Sequence, residues 1–299
     1  MSGGNVEQNV RAFYDAIGWK LESDGHYQNA RYEDLRPVSA EYIHRCHLRI
    51  TPYFADGGKY LLDAGCGPIQ YAEYLTYSEN FEKRVCADIS ITALKEARKR
   101  IGEHGLFVVA DVANLPFAPE VFDGIVSLHT LHHLPLDLQK KAWFELVRTL
   151  NPGKTAAVVN GWTESAMMKR WQPWVERAEK VGHWIARLRG KERSEKQPRV
   201  QASAAVQTQK SKAVENGQAT GTFVRKMDAA WLRTELADLS GQIRIEIRCW
   251  RSVSVRWLRA LIHPPYGKLA LRRLFSLEEE DPEVYGEMGQ YPLIILRKQ

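Results

Sequence analysis

Some residues of this sequence have the types and spacing to do chemistry. The stretch YLLDAGCGPIQ at 60–70 closes an apolar run on Asp63, Gly65, Cys66 and Gly67. Paired glycines after a buried strand let the backbone turn sharply and approach a bound nucleotide. Asp88 and Asp111 each end a later apolar run, and Asp88 stands 25 residues after Asp63. A carboxylate roughly 20 residues beyond such a turn is placed to accept from ribose hydroxyls. Further on, HTLHH sets His129, His132 and His133 close together. A neutral imidazole can take a proton from a hydroxyl, a phenol or an acidic carbon.

The residues just beyond the turn decide which nucleotide it suits. A dinucleotide site reads GxGxxG, the third glycine bringing helix close to strand. Here Pro68, Ile69 and Gln70 come after Gly67, so that glycine is missing. Asp63 would also oppose the charge of a pyrophosphate, whereas an ammonium and a sulfonium would suit it. Cys66 has no basic neighbour to activate it and reads as a small turn residue. The three histidines lack the usual acid–His ligand spacing, so no metal is expected. HPPY at 263–266 resembles the (N/D)PPY motif that holds an amine, but it comes after the sixth strand instead of the fourth and is read as a turn.

The elements that must position these residues alternate regularly. Apolar runs predict strands at 59–65, 83–90, 105–112, 121–131 and 154–162, and amphipathic runs predict helices at 69–78, 91–102 and 138–150. That order implies a parallel sheet with crossover helices. Helices are expected at 5–20 and 38–54, and LNPGK is read as a helix stop before the fifth strand. After Trp162 the alternation ends. Residues 164–190 read as helical with a basic face, carrying Met167, Trp171, Trp174, Ala178, Val181, Ile185 and Leu188 as one stripe, and Pro173 is expected to break it. Such a stripe is more often core or lid than membrane anchor, although a basic helix with Trp171, Trp174 and Trp184 suits an anionic bilayer too. The polar stretch beyond it, 191–222, is expected to be a mobile loop. Helix 228–239 and strands at 243–255 and 291–298 complete the pattern.

Composition is that of a soluble protein, with 44% hydrophobic and 26% charged residues over 299 positions. Four cysteines without CxxC spacing argue against a zinc site or a disulfide scaffold and fit a reducing compartment. No apolar run approaches the roughly 18 to 20 residues of a membrane span, and the N-terminus lacks a signal-peptide pattern. A cytoplasmic protein is expected. The net charge of +6 is uneven: residues 1–163 hold 17 basic and 20 acidic side chains, and 164–299 hold 25 and 16. The excess reads first as a solvated face, and second as attraction to an anionic partner.

The order acid–x–Gly–x–Gly, then Asp88, then Asp111 with Val112 and NLPF, then FDGIVSLHTLHHLP and LVRTLNPGKTAAVV, resembles the class I S-adenosylmethionine-dependent methyltransferases. The likeness is to their small-molecule branch, of ubiquinone/menaquinone C-methyltransferase type, and it covers about residues 58–160. It implies a Rossmann-like three-layer α/β sandwich, a seven-stranded, mostly parallel sheet with an antiparallel last strand, and a helical cap. The organisation expected is an N-terminal helical cap at 1–55, a cofactor-binding core at 56–163, inserted helices and a mobile lid loop at 164–226, and completion of the sheet at 227–299.

The resemblance also implies roles for S-adenosylmethionine and its product S-adenosylhomocysteine. Gly65, Cys66 and Gly67 would receive the methionine part, with Asp63 near its ammonium. Asp88 would hold the ribose, Ile89 and Val112 the adenine ring, and Asp111 its amino group. His129 would contact cofactor, with His133 first and His132 second as candidate bases. The acceptor implied is small or lipid-like, with O- or C-methylation both open. A nucleic-acid methyltransferase and a non-catalytic cofactor-binding protein are the alternatives.

Overall fold

Along each core strand successive side chains enter different clusters, so both faces of the sheet must be covered. The computed structural model describes residues 33–188 and 224–299. Its strands are β1 (Gly58–Ala64), β2 (Phe81–Asp88), β3 (Gly105–Val109), β4 (Phe122–Leu128), β5 (Leu150–Val159), β6 (Ile243–Arg251) and β7 (Tyr291–Lys298). They form one seven-stranded sheet in the order β3-β2-β1-β4-β5-β7-β6. All pairs are parallel except those of β7, which runs antiparallel to both β5 and β6. The expected Rossmann-like sheet is therefore present, with its last strand reversed. Leu62, Ile125, Ile294 and Leu296 pack into one core cluster. Leu61, Val126, Leu293 and Ile295 pack into another on the opposite face, as the two-residue period of a strand requires.

The helices are α1 (Ala40–Leu48), α2 (Ile91–Ile101), α3 (Leu136–Thr149), α4 (Ala166–Leu188), α5 (Ala229–Glu235), α6 (Val255–Leu261), α7 (Gly267–Glu280) and α8 (Pro282–Met288). Helix α2 starts where the Ser90 side chain accepts from the Ala93 amide and ends at Gly102, whose φ is 58°. Helix α1 is fastened to α7 through buried Glu278, which accepts from the Tyr42 hydroxyl at 2.7 Å and from Arg49 at 3.0 Å. This fixes α1 over the carboxyl ends of the strands. The helix expected at 5–20 and the loop at 191–222 lie outside the described residues.

Several expectations need correction. Residues 69–78 form no α-helix; a 3₁₀ segment runs over Ala72–Ser78. Tyr71, Tyr74 and Tyr77 recur every third residue, and their rings contact in sequence at 5.3 and 5.5 Å. A three-residue period is that of a 3₁₀ helix, in which such side chains eclipse. LNPGK stops α3 but does not precede β5: the strand begins at Leu150, with a register shift against β4 and Gly153 at φ 75°.

Pro173 does not break the helix at 164–190. Helix α4 runs through it, because Met168, Trp171, Val175 and Glu179 all hold the chain on one side. Trp171 meets Trp257 edge-on at 5.8 Å, and Glu179 accepts from Arg256 at 2.8 and 2.9 Å. Tertiary contact outweighs the lost hydrogen bond. The expected stripe packs only at its start, through Met167 and Trp171; further on, Trp174, Val181 and Trp184 are 57%, 55% and 62% exposed. HPPY forms the turn between α6 and α7, with Tyr266 exposed. Among the described residues no helix is long and apolar enough to cross a membrane.

Candidate active site

From β1 the chain winds outward in one direction to β2 and β3, and in the other to β4 and β5, so the crevice of a doubly wound sheet opens between the ends of β1 and β4. Both chemical groups of the sequence converge there. The turn after β1 has Gly65 at φ 77°, Gly67 at 54° and Ile69 at 52°. Ile69 thus adopts the left-handed conformation that a glycine would, and the missing third glycine is replaced by a strained isoleucine. Gly65 has no room for a side chain: an added Cβ would lie 2.2 Å from Thr130 Cγ2. The Thr130 hydroxyl donates to the Gly65 carbonyl at 3.1 Å, joining the turn to the end of β4.

Asp88 ends β2 beside this turn. Its carboxylate accepts from the Gly67 amide at 2.9 Å and from the Ser90 amide at 2.8 Å, which fixes its orientation. Ile89 next to it is half-buried. Asp111, also half-buried, accepts from the Ala113 amide at 2.9 Å, and Val112 is buried beside it. Asp63 has a partner that the sequence does not announce. It is buried under the turn and accepts from Arg84 Nε at 3.1 Å and Nη2 at 2.5 Å, an ion pair linking β1 to β2. Asp63, Cys66 and Cys86 bring ligand atoms within 4.8 Å of one another. Asp63 is committed to Arg84, and all three side chains are buried in the core.

The histidines stand at the end of β4. His129 takes φ 55°, and burial, helped by Arg251, His47 and Lys226, lowers its pKa to about 3. His132 is likewise held neutral by burial, and its Nδ1 pairs with Asn160 Oδ1 at 2.5 Å, Nδ1–H being the donor that two neutral groups require. His133 lies against His132, ring centroids 4.2 Å apart.

Residues far apart in the chain complete the wall. Because β6 runs parallel to β5 and β7 opposes it, the end of β6 and the start of β7 meet at this same edge. Trp250 contacts His129 at 5.0 Å, and Tyr291 contacts it at 5.5 Å. His47 of α1 stacks on Trp250 at 5.4 Å and touches Tyr71 at 4.5 Å. His47 is buried, and its Nδ1 faces the Glu73 carboxylate at 3.8 Å. Among the expected residues, the structure gathers the turn, Asp88 and the histidines, and adds His47, Tyr71, Trp250, Arg251 and Tyr291. Only the WR pair inside the strand expected at 243–255 could have hinted at the latter group.

The donor and acceptor set fits an adenosyl cofactor. A left-handed turn brings backbone amides forward, a fixed carboxylate ends β2, and a second carboxylate ends the segment after β3. Comparison with known proteins agrees. Residues 62–158 match the family model described as a methyltransferase domain. The chain is 29% identical over 170 residues to the tRNA (carboxymethyluridine(34)-5-O)-methyltransferase of Arabidopsis thaliana, covering 50% of this chain and 40% of that protein. It is 31% identical over 142 residues to the phthiotriol/phenolphthiotriol dimycocerosates methyltransferase of Mycobacterium tuberculosis, covering 46% of this chain and 50% of that protein. The chain thus spans half or less of the length of these two relatives. The solved DhpI-SAM-HEP complex superposes with a TM-score of 0.55 at 12% identity, over 99% of this chain and 100% of that one. Residues 62–158 are a methyltransferase domain of the class I type, and the cofactor of that class is S-adenosylmethionine.

Proposed function

We propose that this protein transfers a methyl group from S-adenosylmethionine to a small or lipid-like acceptor. The observation that carries the reading is the wall of Trp250, Tyr291, Tyr71, His47 and His129 standing directly beside the glycine turn. The half-buried rings of Tyr71 and Tyr291, backed by buried Trp250 and His47, suit the apolar body of an acceptor. The relative named for phthiotriol and phenolphthiotriol dimycocerosates supports the lipid-like class.

The cofactor supplies an activated sulfonium methyl, so the protein has mainly to align and to exclude water. Gly65, Cys66 and Gly67 receive the methionine part, Asp88 takes the ribose hydroxyls, Ile89 and Val112 enclose the adenine, and Asp111 accepts from its amino group. His129 lines the cofactor. Proton removal falls to His133, because His132 and His129 are held neutral too firmly to keep a proton near pH 7. His132 positions His133 through their ring contact. Helix α1 serves as a cap over the site. Helix α4 brings the molecule to an anionic membrane surface, where a lipid-like acceptor would be met. Calorimetric titration with S-adenosylhomocysteine tests the reading. Micromolar binding that Asp88→Ala abolishes is expected, and absence of binding to the native protein overturns it.

A second reading, methylation of RNA, is favoured by the tRNA-named relative and the basic second half of the chain. It requires tRNA binding that weakens steeply between about 50 and 200 mM salt, as phosphate contacts dictate. Failure to bind at the lower salt removes it.

A further inference from the structure

The chain re-enters the described structure at 224–227 and brings a cation to the site that neither the methyltransferase match nor the cofactor requires. Lys226 is half-buried and lies along Gly161, where an added Cβ would meet its Nζ at 3.0 Å and its Cε at 3.1 Å. Its ammonium is 5.9 Å from the Tyr291 ring centroid. The same ring carries the Arg251 guanidinium at 4.7 Å. Arg251 is 2% exposed and gives Nη1 to Glu33 at 2.6 Å, yet its buried Nε has no partner. Among the described residues no carboxylate pairs with Lys226. His129 and His132 both feel its charge and, held neutral, offer no negative charge in return. Positive charge withdrawn from water without enough counter-charge is costly, and an arriving anion offsets that cost.

We propose that Lys226 and the unpartnered edge of Arg251 form a subsite for an oxyanion, so that the methyl acceptor carries a carboxylate or a phosphate. Calling the ligand an acceptor rests on the methyltransferase reading; the anion subsite does not. The aromatic wall then takes the apolar body of the molecule and Lys226 its acidic end. Gly161 is part of the device, because its missing side chain lets Lys226 lie flat against the strand end.

The test is calorimetric titration of the full chain with benzoate and, separately, inorganic phosphate, at constant ionic strength set by chloride, with S-adenosylhomocysteine present. One of the two anions is expected to bind. Lys226→Met should weaken it at least tenfold, Lys226→Arg should restore most of the affinity, and Gly161→Ala should weaken it severalfold while keeping the charge. Affinity for S-adenosylhomocysteine should stay within twofold throughout. The proposal is overturned if neither anion binds above chloride, or if Lys226→Met binds as tightly as the native protein. Should S-adenosylhomocysteine fail to bind while the anion still depends on Lys226, the methyltransferase reading falls and the subsite stands.

Discussion

Ile69 holds its backbone at φ 52° while its side chain is fully buried against Cys66, Cys86, Leu94 and Ala97. The left-handed conformation costs an L-residue about 1–2 kcal/mol, and more for a β-branched one. Packing opposes that cost, since a buried isoleucine cut to alanine loses about 2–5 kcal/mol. In ordinary positions glycine is the worse replacement. Here Ile69→Ala keeps the backbone strain and Ile69→Gly removes it, so Ile69→Gly should be no less stable than Ile69→Ala by urea unfolding. A glycine variant clearly less stable than the alanine one would mean that the turn carries no strain. Asp63 teaches the complementary lesson. Its place before the glycines is legible in the sequence, but its partner Arg84 lies one strand away, and only register brings Asp63 opposite Cys86 and its neighbours. The positions gathered at the site divide the same way. Residues at the ends of apolar runs (Gly65, Asp88, His129) are legible as candidates, whereas His47, Trp250 and Tyr291 meet only through the packing of α1 and the antiparallel β7.

At the scale of elements, α4 and the 72–78 segment show where periodicity misleads. The stripe at 167–188 is real as a pattern, but it packs only through Met167 and Trp171; beyond them the packed line is Val175 and Glu179, one residue round the helix from Trp174 and Ala178. Apolar spacing says that a face exists, not which face meets the core, when aromatic residues also stand on the other side. The tyrosines of 71–77 carry their three-residue period openly; a 3.6-residue template simply blurs it. Because α4 is continuous through Pro173, that residue forfeits a backbone hydrogen bond inside the helix. Pro173→Ala should therefore stabilise the protein by about 1–2 kcal/mol after allowing for the freer unfolded chain. The rise in melting temperature checks it, and a fall would show that the proline shapes a bend the fold needs.

For the whole molecule, the distribution of apolar surface matters most. Trp174, Val181 and Trp184 stand exposed on α4 with Arg170, Arg177 and Lys180 around them, and Arg177 lies 5.2 Å over the Trp174 ring. Aromatic side chains framed by basic ones are the composition of a helix that lies at a lipid interface. The native protein should float with vesicles rich in anionic phospholipid, and the Trp174→Ser, Trp184→Ser double variant should remain at the bottom of the gradient. Native protein left at the bottom removes the membrane role of α4 and leaves the cofactor site untouched, since α4 packs on α6 and not on the glycine turn.

The excursion that carries α4 has one further property. Trp162 and Met227 form a β-bridge, and the Thr163 amide donates to the Met227 carbonyl at 2.9 Å, so the chain departs and comes back at a single point. Closing a long loop costs little more than closing a short one, since the entropy grows only with the logarithm of length. The cost of closing the joint is thus nearly the same whatever the number of residues between those two, so long as α4 keeps its packing on α6. Such a joint works as a socket: segments of different length and chemistry can be exchanged there, and the enzyme can change what it meets without changing how it holds its methyl donor.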